Sequence, residues 1–242
     1  MKTLFLKKLL FLLITAFAIA LFACQKSHTT TTTPGTGLAT APETKTQYNN
    51  TSFGVYKGVV VGSTGTIVFK INNGDNLMKG YLTIDNTKDT LSTTQTVVQG
   101  QAINDVKFEG RISSMNLSVN ADGTNAALSN ISIIGHNNVT IFIVHENSTK
   151  QVLCYEGTYS GALSGTLNCT RVGAENGDTA YILAKVNDTL VLQGFGQVIN
   201  NTINMSLAPP FSIQGAFSGD NINGTCAWTN IGTGTFACTR TF

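Results

Sequence analysis

The feature of this sequence that most constrains its fold is a period-two alternation of apolar and polar residues. Residues 106–120, VKFEGRISSMNLSVN, show the alternation, and residues 203–207 and 211–217 show it again. Such a pattern is typical of strands that turn one face to a core and the other to water. Clusters rich in Asn, Asp and Gly, which favour hairpin turns, separate the apolar runs at residues 72–75, 86–89, 122–123, 136–138, 176–178, 187–188 and 200–201. The pattern predicts an all-β domain over residues 53–242, an antiparallel meander of roughly fourteen short strands.

Parts of this domain resemble each other. Residues 97–104, VVQGQAIN, return as VLQG at 191–194 and QVIN at 197–200, and VYKG at 55–58 matches TYSG at 158–161. We interpret these matches as two internal half-repeats with one strand plan. Because a long open meander leaves edges that invite aggregation, we favour a single closed or nearly closed barrel. A two-sheet β-sandwich is the alternative.

Four cysteines lie in two similar hairpin segments. A tight turn midway between Cys154 and Cys169 places these residues opposite each other, and a turn midway between Cys226 and Cys238 does the same. Opposed Cα atoms lie about 4.5 to 5.5 Å apart, within the range of about 4.4 to 6.8 Å that a disulfide accepts. We therefore predict the disulfides Cys154–Cys169 and Cys226–Cys238. A crossed connectivity and four free thiols both remain open alternatives.

The first 23 residues have the organisation of an export signal. Three lysines precede an apolar run at residues 9–22, and a small residue stands before Cys24. The run is shorter than the roughly 20 residues of a membrane-spanning helix. Residues 21–24, Leu-Phe-Ala-Cys, resemble the lipobox of bacterial lipoproteins. This resemblance implies that residues 1–23 form a lipoprotein signal peptide and that Cys24 carries a diacylglycerol and a further acyl chain such as palmitate, which together anchor a protein stably.

Residues 24–52 follow the signal and are rich in threonine, with few apolar side chains. Because such a segment cannot bury enough surface to order itself, we predict a flexible tether. The residue after Cys24 is not Asp. By resemblance to the sorting rule of lipoproteins, this favours the outer membrane of a bacterial cell envelope, with the periplasmic and surface faces both open.

The charge of the chain changes when the signal is removed. Loss of its three lysines leaves 12 of the 15 basic residues against 13 acidic ones, so the net charge falls from +2 to −1. Nucleic acid requires a clustered basic surface. We therefore expect no nucleic-acid partner.

The sequence carries no familiar catalytic, metal-binding or phosphate-binding motif. HExxH, CxxC and G-x-S-x-G are absent, and the three histidines are dispersed. We therefore expect no enzymatic activity, no metal and no cofactor.

Four residues are the candidates for a ligand site: Tyr56, Trp228, Arg171 and Arg240. Each arginine follows Cys-Thr on a strand face that it shares with apolar residues, which predicts a position at the end of the core beside an aromatic ring. Trp228 is expected to lie opposite Phe236, a pairing typical of a core. The segment GVY ending at Tyr56, with Arg240 near the chain end, resembles the lipocalin and avidin-like barrels, in which G-x-W and a late Arg close one end. Here Tyr56 stands in place of the Trp.

These features favour a membrane-anchored envelope lipoprotein with a non-enzymatic β domain. Its partners would be the lipid membrane, through acylated Cys24, and a glycan, a protein or another envelope component. One alternative is a lipocalin-like carrier that holds a small apolar ligand inside the barrel. A second alternative is a hydrolase whose carboxylates only folding brings together.

Overall fold

A computed structural model of the protein describes residues 38–173, 177–186, 190–207 and 211–242. The predicted signal, Cys24 and the first part of the predicted tether lie outside the described residues. The described chain forms sixteen β-strands and one short 3₁₀-helix, Thr46–Tyr48, with no α-helix among its residues. The prediction of an all-β, antiparallel domain is confirmed, with sixteen strands where the turn signals indicated about fourteen.

The first sheet contains the first eight strands in an up-and-down order. They are β1 (Gly54–Val61), β2 (Gly65–Ile71), β3 (Met78–Ile84), β4 (Thr87–Ser92), β5 (Ile103–Glu109), β6 (Ser113–Val119), β7 (Ala127–Ile133) and β8 (Thr140–His145). Consecutive strands pair antiparallel from β1 to β7, and β1 also pairs with β8. The sheet therefore curls until β7 and β8 lie side by side, which nearly closes it.

The second sheet repeats this plan with the last eight strands. They are β9 (Val152–Gly161), β10 (Gly165–Val172), β11 (Asp178–Val186), β12 (Leu190–Val198), β13 (Thr202–Leu207), β14 (Phe211–Ser218), β15 (Asn221–Trp228) and β16 (Gly232–Arg240). Here β9 pairs with both β10 and β16, and the seam lies between β12 and β13. The strands meet closely at this seam, because a Cβ atom on Gly194 of β12 would lie 2.7 Å from the Leu207 side chain of β13.

The structure thus contains two nearly closed, barrel-like sheets, where the sequence favoured one barrel. Each half of the domain closes on itself, because the first strand of each half pairs with the last strand of the same half. The repeated residues 55–58 and 158–161 lie in β1 and β9, the first strand of each sheet. Residues 191–198 lie within β12 and residues 199–200 follow it, whereas residues 97–104 span the β4–β5 connection and the start of β5. The two halves therefore share the same order of strands, but the repeated sequence segments do not all occupy equivalent positions in the two sheets.

Apolar side chains fill the interior of each sheet, as the alternation predicts. Along β14 every second residue from Phe211 to Phe217 is buried and the residues between are exposed. Two clusters of buried residues result, one inside each sheet. Burial of such apolar surface is the main driving force for folding.

A third apolar cluster joins the two sheets. Strand β1 is buried along its whole length because its second face packs against the second sheet. The cluster contains Val59 and Val61 of β1 together with Val152, Cys154 and Leu183 of the second sheet. The outer faces of β1 and β9 therefore form an interface rather than a solvated surface.

The end of the predicted tether is structured. Thr44 is buried and its hydroxyl accepts a hydrogen bond from the Val55 amide at 2.9 Å, while Tyr48 packs in the first core. The carbonyl of Ala39 accepts a hydrogen bond from the side chain of Gln151 at 2.7 Å. The prediction of a flexible segment up to residue 52 is therefore wrong for residues 39–52. These polar residues bond to the sheets, which a hydropathy criterion does not detect.

The two predicted disulfides, Cys154–Cys169 and Cys226–Cys238, are not formed, and the four thiols are free. The connection between β9 and β10 spans residues 162–164, so Cys154 pairs with Thr170 and Cys169 pairs with Tyr155. A shift of one residue in register moves a side chain to the other face of a sheet. Cys154 consequently lies between the sheets, while Cys169 lies inside the second sheet.

In the pairings Cys226–Cys238 and Cys169–Cys238 the two cysteines lie too far apart for a disulfide. Cys226 pairs with Gly234 and Cys238 with Ile222, so four residues separate the two cysteines along the ladder, roughly 13 Å of strand. In the crossed connectivity Cys169 and Cys238 lie on β10 and β16, with β9 between them, about 10 Å apart. Both separations exceed the reach of a disulfide.

Candidate functional site

Tyr56 is a core residue of the first sheet. Its ring stacks on His145 with centroids 4.6 Å apart, and its hydroxyl donates a hydrogen bond to the Ser52 carbonyl at 2.8 Å. Burial raises the pKa of the Tyr56 hydroxyl and lowers the pKa of His145. Both groups are therefore neutral near pH 7, and their contacts secure the segment before β1 to the core.

Trp228 lies inside the second sheet with only 4 % of its surface exposed. Its indole packs against Phe211 at 4.7 Å and Tyr159 at 5.3 Å between centroids. The residue opposite Trp228 is Gly232, not Phe236, so the predicted cross-strand pair is wrong although the core position is correct. Trp228 forms part of the core and offers no surface to a ligand.

Arg171 and Arg240 lie together at one end of the second sheet, on the two strands that flank β9. The Cζ atom of Arg171 lies 4.7 Å from the ring centroid of Phe217, and its guanidinium pairs with Asp178. Arg240 pairs with Asp220 at 3.3 Å. Each guanidinium is thus neutralised by a carboxylate.

Further contacts fix Arg240. Its Nε donates to the Phe242 carbonyl at 2.8 Å, and its Nη2 donates to the carbonyl of Ala39. The two arginines therefore close the end of the core, as the sequence predicted. Trp228 lies toward the opposite end of the second sheet and Tyr56 lies in the first sheet, so the four candidates do not form one site.

A buried ion-pair group lies where the sheets and the N-terminal segment meet. Lys57 of β1 contacts Glu146 at 2.8 Å and Glu43 at 3.1 Å, and Lys57 and Glu146 are fully buried. Burial raises the pKa of Glu43, but Lys57 and Lys70 outweigh it, so the pKa of Glu43 is lowered. Glu146 also accepts a hydrogen bond from the amide of Val152 at 3.0 Å. Because water and ligands do not reach its centre, this group has the geometry of a structural clamp.

A concave groove lies between the outer faces of the two sheets. Its volume is about 420 Å³, within the range of small-molecule sites. Strand β8 of the first sheet forms one side, and strands β11 to β13 of the second sheet form the other. The lining includes Phe142, Tyr181, Leu183, Gln193, Phe195 and Ser206.

Three aromatic rings form a row along this groove. Tyr181 and Phe195 are direct cross-strand partners on β11 and β12, with centroids 6.1 Å apart. Phe142 crosses from the first sheet and lies 4.9 Å from Tyr181. Phe195 is 74 % exposed, which is unusual for a large apolar ring at the middle of a strand. A row of aromatic rings that ends in an exposed ring within a concave surface is typical of a binding site.

The polar side chains of the groove are neutral. Gln193 lies two residues before Phe195 on the same face of β12, and Ser206 of β13 lines the same groove. Among the described residues that line the groove, none carries a charge. An amide and a hydroxyl each donate and accept hydrogen bonds. The groove can therefore hold an uncharged ligand with an apolar face and hydroxyl or amide edges.

Sequence reasoning missed the groove, although a signal for it existed. In β8 and β11 the runs IFIV and AYILA are apolar at consecutive positions, a pattern that indicates strands buried on both faces. In β12, Phe195 occupies an outward position that the alternation assigns to polar residues. The sequence signal for the groove was therefore an aromatic residue, Phe195, at a position where the alternation predicts a polar residue.

Over the described ranges, no cluster of three His, Cys, Asp or Glu residues could hold a metal ion. None of the elements described is a helix of the length and apolarity that a membrane crossing requires. His136 contacts Asp85 at 3.5 Å in the β7–β8 turn region, away from His145.

Comparisons with protein-family models, with curated proteins and with solved structures find no match.

Proposed function

We propose that this chain is a membrane-anchored envelope lipoprotein whose non-enzymatic β domain binds an envelope component in the groove between the two sheets. The observation that carries the binding role is the aromatic row formed by Phe142, Tyr181 and Phe195, in which the first two rings are half-buried and Phe195 is exposed. Burial of such a row by a ligand recovers apolar surface that folding leaves in water. The anchoring role is supported by the lipobox-like residues 21–24.

The structure favours the groove over the barrel interiors as the ligand position. Buried side chains occupy the inside of both sheets, including the large rings of Tyr155, Phe69 and Phe108. A lipocalin-like carrier requires an interior space instead. Binding on the outer faces is therefore better supported than the carrier alternative.

A hydrolase also receives less support than a binding protein. Glu43 and Glu146 approach each other only around Lys57, and Glu146 is fully buried. A carboxylate that acts on a glycosidic bond must reach a substrate in a cleft. The described residues that line the groove are all neutral.

Occupation of the groove can be tested by cysteine protection. A Ser206→Cys variant of the full chain, which keeps the three aromatic rings, should react with N-ethylmaleimide in purified form, because position 206 is exposed in the groove and burial raises the pKa of the four native thiols of the β domain. In intact cells of the natural host, a bound component should slow this labelling at least about tenfold. Tyr81→Cys, at an exposed position of the first sheet, is the matched control. Equal labelling of Cys at position 206 in cells and in purified protein, relative to the control, would show an empty groove and overturn the binding role.

The anchor is tested on the mature N-terminus. Mass spectrometry of the protein from a bacterial host should show a chain that begins at Cys24 and carries acyl groups. The Cys24→Ser variant should leave the membrane fraction. A wild-type chain that keeps residues 1–23, or that lacks any lipid, would contradict anchoring.

A further inference from the structure

The open face of Phe195 is the most unusual feature of the groove. Its neighbours on the same face of β12, Gln193 and Gln197, are also exposed, and the ring stays 74 % open to solvent. Tyr181 supports one side of the ring, and Phe142 supports Tyr181 in turn. The three rings tilt by 33° and 36° from one to the next, which makes a shallow curved shelf rather than a closed slot. A ligand for this shelf must present a flat apolar surface.

The shelf is bordered by neutral polar groups. Within the described residues, the side chains of Gln193 and Ser206 make no hydrogen bond to other side chains or backbone groups, and the Tyr181 hydroxyl adds a third donor and acceptor. On a strand, Gln193 lies about 7 Å from Phe195, two residues along the same face. A ligand stacked on the ring can therefore bring polar groups at its edge to the amide.

Electrostatics excludes a strongly charged ligand. Because no described lining residue is charged, an anionic or cationic group would lose its hydration and gain no ion pair. The neutral lining matches a neutral ligand, and charge complementarity thus selects among the envelope components that the proposed function leaves open.

An extended peptide fits less well than a sugar. Peptides bind to sheets by adding a strand to a free edge, and in the second sheet the edges beside the groove form the seam between β12 and β13. At this seam the Met205 and Leu207 side chains of β13 pack over Gly196 and Gly194, and a Cβ atom added to these glycines would lie 3.2 and 2.7 Å from them. The two edges cover each other, so the seam has no space for an added strand.

We infer that the groove binds an uncharged glycan chain, with one sugar ring stacked on Phe195 and its hydroxyl groups bonded to Gln193 and Ser206. A sugar ring combines a flat C–H face with hydroxyl edges, and these are the two surfaces that the shelf and its border complement. The inference rests on the proposed binding role and names the ligand class of the same site.

The test uses the full acylated chain in phospholipid nanodiscs, which contain no sugar. Saturation-transfer NMR is recorded with four neutral hexasaccharides: cellohexaose, maltohexaose, laminarihexaose and xylohexaose. At least one should receive saturation on its ring C–H protons. Phe195→Ala should weaken its affinity at least about tenfold, as expected for the loss of a central aromatic contact, and Gln193→Ala should weaken it by a smaller factor. Tyr81→Ala, which removes an exposed ring outside the groove, should leave the affinity unchanged.

Charged hexagalacturonate and a neutral extended decapeptide serve as competing ligand classes. Failure of all four hexasaccharides to bind, unchanged affinity in Phe195→Ala, or Phe195-dependent binding of the peptide or the charged sugar alone overturns the glycan inference. Protection of the Ser206→Cys thiol in cells together with such a failure leaves the binding role standing. Absence of both protection and glycan binding overturns both proposals.

Discussion

At the residue scale, the buried Lys57 ion-pair group determines how the parts of the chain meet. Lys57 comes from β1, Glu146 from the chain between the two sheets, and Glu43 from the segment before β1. Glu146 also accepts hydrogen bonds from the amides of Glu43 at 2.6 Å and Val152 at 3.0 Å. Each buried charge thus has several partners, which is the condition under which a buried ion pair is tolerated.

Removal of Lys57 should therefore be costly. Lys57→Met leaves Glu146 buried without its cation, and we expect the free energy of unfolding to fall by about 3 to 5 kcal/mol. Lys70→Met is the control, because Lys70 also pairs with Glu43 but its side chain is 36 % exposed. The control should lose less than about 1 kcal/mol. Urea denaturation of both variants measures the difference, and equal losses would mean that burial of the pair adds nothing to stability.

Glu156 makes stability depend on pH. Burial raises the pKa of this carboxyl above its ordinary value of 4.5, although hydrogen bonds from Thr241 and Thr66 lower it in part. The folded state therefore favours the protonated form. The stability that this proton preference contributes is complete below pH 4.5 and is lost as pH rises through the folded-state pKa.

A neutral residue at position 156 should remove this loss of stability at high pH. Glu156→Gln is expected to be more stable than the wild type at pH 7, with the advantage shrinking as pH falls below 4.5. Urea denaturation at pH 7 and pH 4 measures both differences. An advantage that grows toward low pH would have the wrong sign for a carboxyl with a raised pKa.

At the element scale, strand register decides the state of the cysteines. The three-residue connection between β9 and β10 puts Cys154 opposite Thr170 and directs the Cys169 side chain to the other face of the sheet. Burial raises the pKa of Cys154 and of Cys238 to about 12, so neither thiol is ionised near pH 7. The thiolate is the reactive form of cysteine.

The thiols of the β domain should therefore be free but unreactive. Iodoacetamide should label none of the four in the folded protein and all four after unfolding in urea without reductant. Mass spectrometry counts the labels. Disulfide-linked peptides in a non-reduced digest would contradict the register.

The strands were easier to predict from the sequence than the pairing between them. The alternation along residues 106–120 and 211–217 identified β5, β6 and β14, because period-two burial appears directly in the sequence. The register of β9 against β10 could not be predicted, because the residues around 161–165 are compatible with a connection of two or of three residues. The pairing of β9 with β16 joins the ends of one half, and no local pattern reports so distant a contact.

At the scale of the whole molecule, the candidate site exists only because the two sheets pack together. Phe142 belongs to the first sheet, and Tyr181 and Phe195 belong to the second, so no motif spacing relates all three. Asn168 of β10 helps to fix the arrangement, because its amide donates to the carbonyls of Val60 and Ser63 in the first sheet. The sequence places apolar residues at outward positions in each half, but no local pattern indicates that they share one groove.

The contact between Phe142 and Tyr181 tests this arrangement most directly. Their ring centroids lie 4.9 Å apart across the two sheets, and Tyr181 also lies 6.1 Å from Phe195 within its own sheet. In a protein with selectively protonated Phe and Tyr rings, we expect a nuclear Overhauser cross-peak between Phe142 and Tyr181 that disappears in Phe142→Leu. A Tyr181 ring that shows its cross-peak to Phe195 but none to Phe142 would mean that the sheets do not form the groove.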